Sequence, residues 1–320
     1  MKHLKRLLII LSILIVIALS LVFVPKPKFD RINPFIANGV PLVMAHAGGQ
    51  AYYPGNTMAA FQHSFDIGVD VLEMDVQMTE DGVLVLLHGQ NETGNTIGNS
   101  NCDTVVWEET YEYLNATCNF GYQYQDSEGD YPYRDMDSQE WHEALVYLPT
   151  LEELFQSYGQ NILYNIEIKA DADAPRTETA DALYQLIHEY ELEEYVLVAT
   201  AFDDISEYVI ETYPDLLMST SYGATQDLVI PIYTLTGVFL DKPLYAAIQV
   251  PVSYNLPVIG ELRLDTKLLI YTLHQMNMAA HYWTINDEST MRYLIEQGAD
   301  GIITDDPELL QSILLEYSTQ

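Results

Sequence analysis

Basic residues are scarce. Thirteen Lys and Arg stand against 47 Asp and Glu in 320 residues, a net charge of −34 at pH 7. Lys2, Lys5, Arg6, Lys26, Lys28 and Arg31 cluster at the N-terminus. The rest of the chain keeps only Arg134, Lys169, Arg176, Lys242, Arg263, Lys267 and Arg292. So acidic a surface disfavours non-specific attachment to nucleic acid or to an anionic lipid surface, and no nucleic-acid partner is expected. Cysteine is scarcer still. Cys102 and Cys118 leave a choice between one short bridge, favoured in an oxidising compartment, and two buried thiols. General disorder is excluded, because 48% of the residues are hydrophobic, enough for a sizeable core. The length fits two small domains or one large α/β barrel.

Long apolar runs are absent except for one. Residues 7–24, LLIILSILIVIALSLVFV, carry no charge and reach the minimum length for a membrane-spanning helix. Three basic residues precede them, and only Ala18-Leu19-Ser20 resembles a cleavage site. The expectation is an uncleaved anchor over residues 1–24, a polar linker over 25–38 and a folded domain over 39–320. So short an N-terminus normally stays inside. The domain is therefore expected outside the cell, on a single pass through the cell membrane.

Beyond residue 38 a repeating order of elements emerges. Short β-rich apolar runs fall at 42–47, 71–78, 163–169, 195–199, 216–221, 246–250, 279–284 and 301–304. Helical patterns separate or follow them at 57–67, 151–158, 177–190, 204–213, 226–235, 265–276, 288–297 and 307–317. Alternating strands and helices predict a parallel sheet. Eight repeats predict closure into a (β/α)8 TIM barrel, with a doubly wound open sheet as the alternative. Asn56 is placed to cap the first helix. A short extra strand at 83–87 follows the turn Glu80-Asp81-Gly82. Residues 89–148 break the pattern. They are polar, acidic and rich in tyrosine, an insertion whose rings either stack on a substrate or pack a satellite cluster.

The chemistry lies near strand ends. Glu73 and Asp75 are two apart on a strand and so share a face. Two carboxylates in one barrel interior repel unless a cation lies between them. Glu167 adds a third, giving an oxygen-rich set suited to Mg²⁺ or Ca²⁺. Lys169 shares the face of Glu167 and is placed to hold an anion. His46 and His88, at or just past strand ends, form a candidate acid and base pair.

These residues fall within longer motifs. They are His46-Ala47-Gly48, Pro54-Gly55-Asn56-Thr57, Gly68-Val69-Asp70, Glu73-Met74-Asp75-Val76, Thr79-Glu80-Asp81-Gly82, His88, Leu148-Pro149-Thr150-Leu151-Glu152-Glu153, Glu167-Ile168-Lys169, Trp283-Thr284-Ile285-Asn286 and Gly301-Ile302-Ile303-Thr304-Asp305-Asp306-Pro307. In this order the chain resembles the glycerophosphodiester phosphodiesterase family. The resemblance implies a divalent cation held by Glu73, Asp75 and Glu167, His46 and His88 as acid and base, and Lys169 near the phosphate. Asn56 and Trp283 are implied supporting residues. It also implies attack on phosphorus by the neighbouring glycerol hydroxyl, followed by hydrolysis of a cyclic phosphate. Substrates implied are deacylated phospholipids, lysophospholipids or glycerol-phosphate polymers. The family's usual Arg, Glu and Asp are replaced by Ala47, Gly55 and Gly89. These replacements keep two alternatives open: a non-catalytic protein that binds a phosphodiester polymer, and a phospholipase D-like enzyme that releases a cyclic phosphate.

Overall fold

Strands covered on both faces need apolar side chains on both, and β2 (Val71–Met78) is buried along nearly its whole length. The computed structural model describes residues 5, 6, 9, 22–89, 97–169, 174–256 and 260–318. Eight parallel strands surround one axis. They are β1 (Leu42–Ala45), β2, β4 (Leu163–Ile168), β5 (Val196–Ala199), β6 (Leu217–Met218), β7 (Ala247–Val250), β10 (Ala279–Tyr282) and β11 (Gly301–Thr304). The sheet runs β6-β5-β4-β2-β1-β11-β10-β7. Backbone bonds from Ala246 N to Met218 O (2.8 Å) and from Thr220 N to Ala247 O (3.0 Å) join its two edges. The ring is thus a parallel eight-stranded barrel, as the alternation of elements predicts, and the open-sheet alternative falls away.

Helices lie between consecutive strands: α1 (Met58–Asp66), α4 (Leu151–Tyr158), α5 (Arg176–Glu189), α6 (Asp203–Thr212), α7 (Tyr222–Tyr233), α8 (Lys267–Gln275) and α9 (Glu288–Gln297), with α10 (Pro307–Ser318) closing the chain. Alternate strand residues divide between two cores. Leu72, Met74, Val76, Tyr164, Ile166 and Ile168 face the helices. Met44, Val71, Leu197, Leu217, Ala279 and Ile303 fill the lower barrel interior. Gly301 is where that interior is tightest. A Cβ there would lie 2.5 Å from Met44 Sδ and 2.7 Å from His281 Cδ2, so no side chain fits.

The segment expected as a free linker, 25–38, instead closes the barrel from below. Phe29 and Phe35 are buried in the lower interior core. His281 Nε2 lies 3.0 Å from Phe35 O, and Asn33 Nδ2 donates to Ala246 O and Asn277 O. The expected membrane-spanning helix at 7–24 finds no support. Among the described residues no helix is long and apolar enough to cross a membrane. Residues 7, 8 and 10–21 of that run lie outside the described residues. The single-pass placement, the outward-facing domain and the membrane as a partner are withdrawn with it.

The insertion folds beside the mouth as a unit with its own core. The strand β3 (Leu84–Leu86) pairs antiparallel with β2. The short helices α2 (Tyr111–Thr117) and α3 (Ser138–Glu143) follow. Val85, Leu87, Ile97, Val106, Leu114 and Phe120 pack around Cys118, which is disulfide-bonded to Cys102. Of its tyrosines, Tyr124 tilts against Tyr133 and donates to Ala51 O (3.2 Å), and the Arg134 guanidinium lies 3.4 Å from the centre of the Tyr131 ring. A hairpin unexpected from sequence, β8 (Ser253–Leu256) with β9 (Gly260–Arg263), rises after β7.

Candidate active site

The register of β2 against β4 builds the acidic cluster. Asp75 pairs with Glu167, and Glu73 with Asn165 one step lower. Alternation turns Glu73, Asp75 and Glu167 into the interior, away from the outward-facing Met74, Val76 and Ile168. Each of the three offers a carboxylate oxygen within 4.8 Å of the other two. Glu73 and Asp75 are buried. Asn56 holds Asp75 in place. Its carboxamide donates to Asp75 Oδ2 (2.9 Å) and accepts from Asp75 N (3.3 Å). Asn56 is therefore not the helix cap expected. Thr57 takes that position, and Asn56 adopts a left-handed φ of 58° that points its amide to β2 instead.

Lys169, one residue beyond β4, reaches back over the cluster. Its Nζ lies 3.0 Å from Glu167 Oε2 and 3.5 Å from Asp75 Oδ1. Burial would lower its pKa, but the surrounding Asp75 and Glu167 carboxylates outweigh it and raise it, so the ammonium stays charged. His88 follows β3 and is exposed, near enough to Glu167 to favour that carboxylate's charge.

His46 sits in a single tight turn, His46–Gly48, after β1. Its Nδ1 lies 2.6 Å from Asp305 Oδ1. Asp305 is in turn held by Gln50 Nε2 (2.8 Å) and Asn286 Nδ2 (2.6 Å). The next residue, Ala47, has φ 48°, which aims its N–H at Glu73 Oε2 (2.8 Å). Burial opposes a charged imidazole at His46. The Glu73 carboxylate and the Asp305 contact overcome it and raise the pKa to about 9. For Glu73 burial dominates and pushes the pKa up to about 7, with Asp75 adding to it. Burial also raises Glu167, against the pull of Lys169.

The donor set suits a hard divalent cation: three carboxylates, two of them buried, with no sulfur. The raised Glu73 pKa comes from burial first, with the Asp75 and Glu167 carboxylates adding to it. The residues present therefore fit a cation such as Ca²⁺ or Mg²⁺.

Every candidate residue, His46, His88, Glu73, Asp75, Glu167, Lys169, Asn56 and Trp283, belongs to the barrel or to the segments at its C-terminal mouth. Trp283 follows β10 and is 46% exposed. Two residues escaped sequence reasoning. Asp305 lies inside a quoted motif but has no local feature marking it as the partner of His46. Gln50 is absent from the motifs. A Cβ on Gly55 would meet Gln50 Oε1 at 2.7 Å and Ala47 Cβ at 3.0 Å. Ala47, Gly55 and Gln50 thus share one small space, and the short side chains of the first two leave room for Gln50 to reach Asp305.

Fold and site together define a parallel α/β barrel carrying a carboxylate–lysine–histidine cluster at its mouth. The profile of the glycerophosphoryl diester phosphodiesterase family matches residues 46–309, and the chain belongs to that family. It is an enzyme, a phosphoric diester hydrolase of the glycerophosphodiester phosphodiesterase type. A glycerophosphodiester phosphodiesterase of Caldanaerobacter subterraneus is 28% identical over 281 residues, covering 85% of this chain and 97% of that protein. Human lysophospholipase D GDPD1 is 25% identical over 290 residues, covering 86% of each. Among solved structures, the glycerophosphoryl diester phosphodiesterase domain of a Mycobacterium tuberculosis protein superposes with a TM-score of 0.68 at 16% identity, covering 87% of this chain and 99% of that one. An Oleispira antarctica phosphodiesterase in complex with the product sn-glycerol-3-phosphate gives 0.61 at 18% identity, covering 86% and 97%.

Proposed function

We propose that this barrel hydrolyses glycerophosphodiesters in a reaction that depends on a divalent cation held by Glu73, Asp75 and Glu167. The observation that carries this reading is the convergence of those three carboxylates within 4.8 Å, with Lys169 against two of them. Bound there, Ca²⁺ or Mg²⁺ supplies Lewis-acid neutralisation of the diester's charge. Lys169 offers its ammonium to a phosphate oxygen, exchanging carboxylate contacts for it. His46 and His88 carry the protons. One takes the proton of the attacking glycerol hydroxyl, and the other delivers a proton to the leaving alkoxide. Asp305 engages His46 Nδ1 and so leaves Nε2 for that transfer. Asn56 and Ala47 N fix the carboxylates from behind. The cyclic phosphate formed is then opened by water. Substrates of this class are deacylated phospholipids, lysophospholipids and glycerol-phosphate polymers.

The test is release of alcohol and glycerol phosphate from glycerophosphocholine with Ca²⁺, Mg²⁺ or EDTA. Turnover is expected with a cation and not with EDTA, and it is lost in Glu73→Ala. In His46→Ala and His88→Ala turnover is lost while cation binding, read by calorimetry, persists. Near-wild-type rates in either histidine variant would remove its acid–base role. Accumulation of a cyclic phosphate as the end product would identify the phospholipase D-like alternative.

A further inference from the structure

The mouth has two unlike halves. The half above β1, β2 and β4 holds the charged cluster. The half above β5, β6 and β7 opens into a cavity of about 350 Å³. It starts at Glu167 and Trp283 and runs outward between α7 and the β8–β9 hairpin. Its walls include Ala199, Val229, Val250, Leu256, Leu262 and Leu264. Threonine hydroxyls in the lining are spent within the protein. Thr220 bonds Thr225 at 2.7 Å, and Thr200 lies 3.3 Å from Ile168 O. Tyr222 and Tyr254 meet through their hydroxyls at 2.8 Å and tie the hairpin to α7. Of the polar atoms in the lining, Ser219 Oγ is buried and has no hydrogen-bond partner among the described residues.

Resting on the phosphodiesterase reading, we infer that this cavity seats one aliphatic chain, and that the preferred substrate is a lysophospholipid. A cavity continuous with a phosphate-handling site must receive whatever the reacting phosphodiester carries. Among the described residues no Lys or Arg lines it, and Glu167 is its one charged residue. An anionic glycerol-phosphate polymer would find no counter-charge there. A chainless glycerophosphodiester would leave the apolar walls wet. An amphiphile with a phosphodiester at one end and a single chain at the other matches both halves at once. The reaction is balanced as hydrolysis. The phosphorus–oxygen bond to the head alcohol breaks, water supplies hydroxyl to phosphorus and a proton to the alcohol, and the acyl ester stays intact.

The test compares kcat/KM of the full chain on glycerophosphocholine and on lysophosphatidylcholines of increasing acyl length, all below their micelle concentrations. Each buried methylene is worth about 0.8 kcal/mol, so kcat/KM should rise roughly fourfold per CH₂ until the cavity is full, then level off. Leu262→Asp, on the hairpin wall, should lower the ratio of long-chain to chainless kcat/KM by on the order of tenfold to a hundredfold. Equal rates on glycerophosphocholine and every lysolipid overturn the chain seat and leave the phosphodiesterase reading standing. So does faster hydrolysis of poly(glycerol phosphate) than of any lysolipid. No turnover of any of these substrates with either cation overturns both. The wild-type chain-length series decides the matter even if Leu262→Asp does not fold.

Discussion

At the scale of single residues, the site is held by partners distant in sequence. Gln50 shows how. It donates to Asp305, which lies against His46 Nδ1, and it occupies the space left by Ala47 and Gly55. Gln50→Ala removes one of the bonds fixing Asp305. A hydrogen bond to a charged group contributes about 1.5–3 kcal/mol, so kcat should fall roughly tenfold to a hundredfold while cation affinity holds. Steady-state kinetics with calorimetry checks this, and an unchanged kcat would make Gln50 mere filling. None of this was visible along the chain. The E-x-D pair, the E-I-K tripeptide and the two histidines were legible because alternation along a strand and placement at strand ends are local properties. Asn56 misled because Ser, Thr, Asp or Asn before a helix reads as a cap, whereas its amide is used by Asp75 across the barrel. Asp305 and Gln50 gain their roles only from closure of the ring.

Among elements, the ends of the barrel strands are pinned by buried polar contacts. The Asp300 carboxylate, just before β11, accepts from Ala280 N (2.8 Å) and Ala37 N (3.0 Å) and meets His274 Nε2 at 2.8 Å. The hydrogen bond to Asp300 is the largest influence on His274 and, with burial opposing it, raises its pKa. A raised folded-state pKa means the stabilisation is full below the ordinary imidazole value and is lost as pH rises through the raised one. Thermal stability should therefore decline as pH climbs out of the neutral range. His274→Gln should flatten that decline, measured by melting curves across pH. If wild type and variant decline in parallel, this pair is not the source. The insertion makes a second element-scale case. Breaking the Cys102–Cys118 bridge, which spans a sequence separation of 16, should weaken it by about 3 kcal/mol. Hydrogen exchange should rise in 97–148 and stay low in the barrel strands. The barrel strands themselves were readable as short apolar runs between helical patterns. The β8–β9 hairpin was not, since its exposed alternation carries weak hydrophobic signal beside a long loop.

The whole molecule is an acidic shell around a closed ring. With a net charge of −34, its compact state works against self-repulsion. Added monovalent salt should raise the melting temperature, and a salt-independent melt would show that the charges are locally compensated. Closure depends on a segment whose role sequence could not show. Residues 25–38 look like a tether because they are polar and carry prolines, but Phe29 and Phe35 sit inside the lower core. Phe35→Ala should cost about 3–5 kcal/mol, the range for emptying a buried aromatic position, as read by denaturant unfolding. A cost under 1 kcal/mol would mean the barrel stays closed without this segment.

That stopper also governs traffic. With Phe35 and His281 filling the floor, the barrel is a cup with one rim. Substrate, departing alcohol and phosphate product must all pass the same opening, in turn.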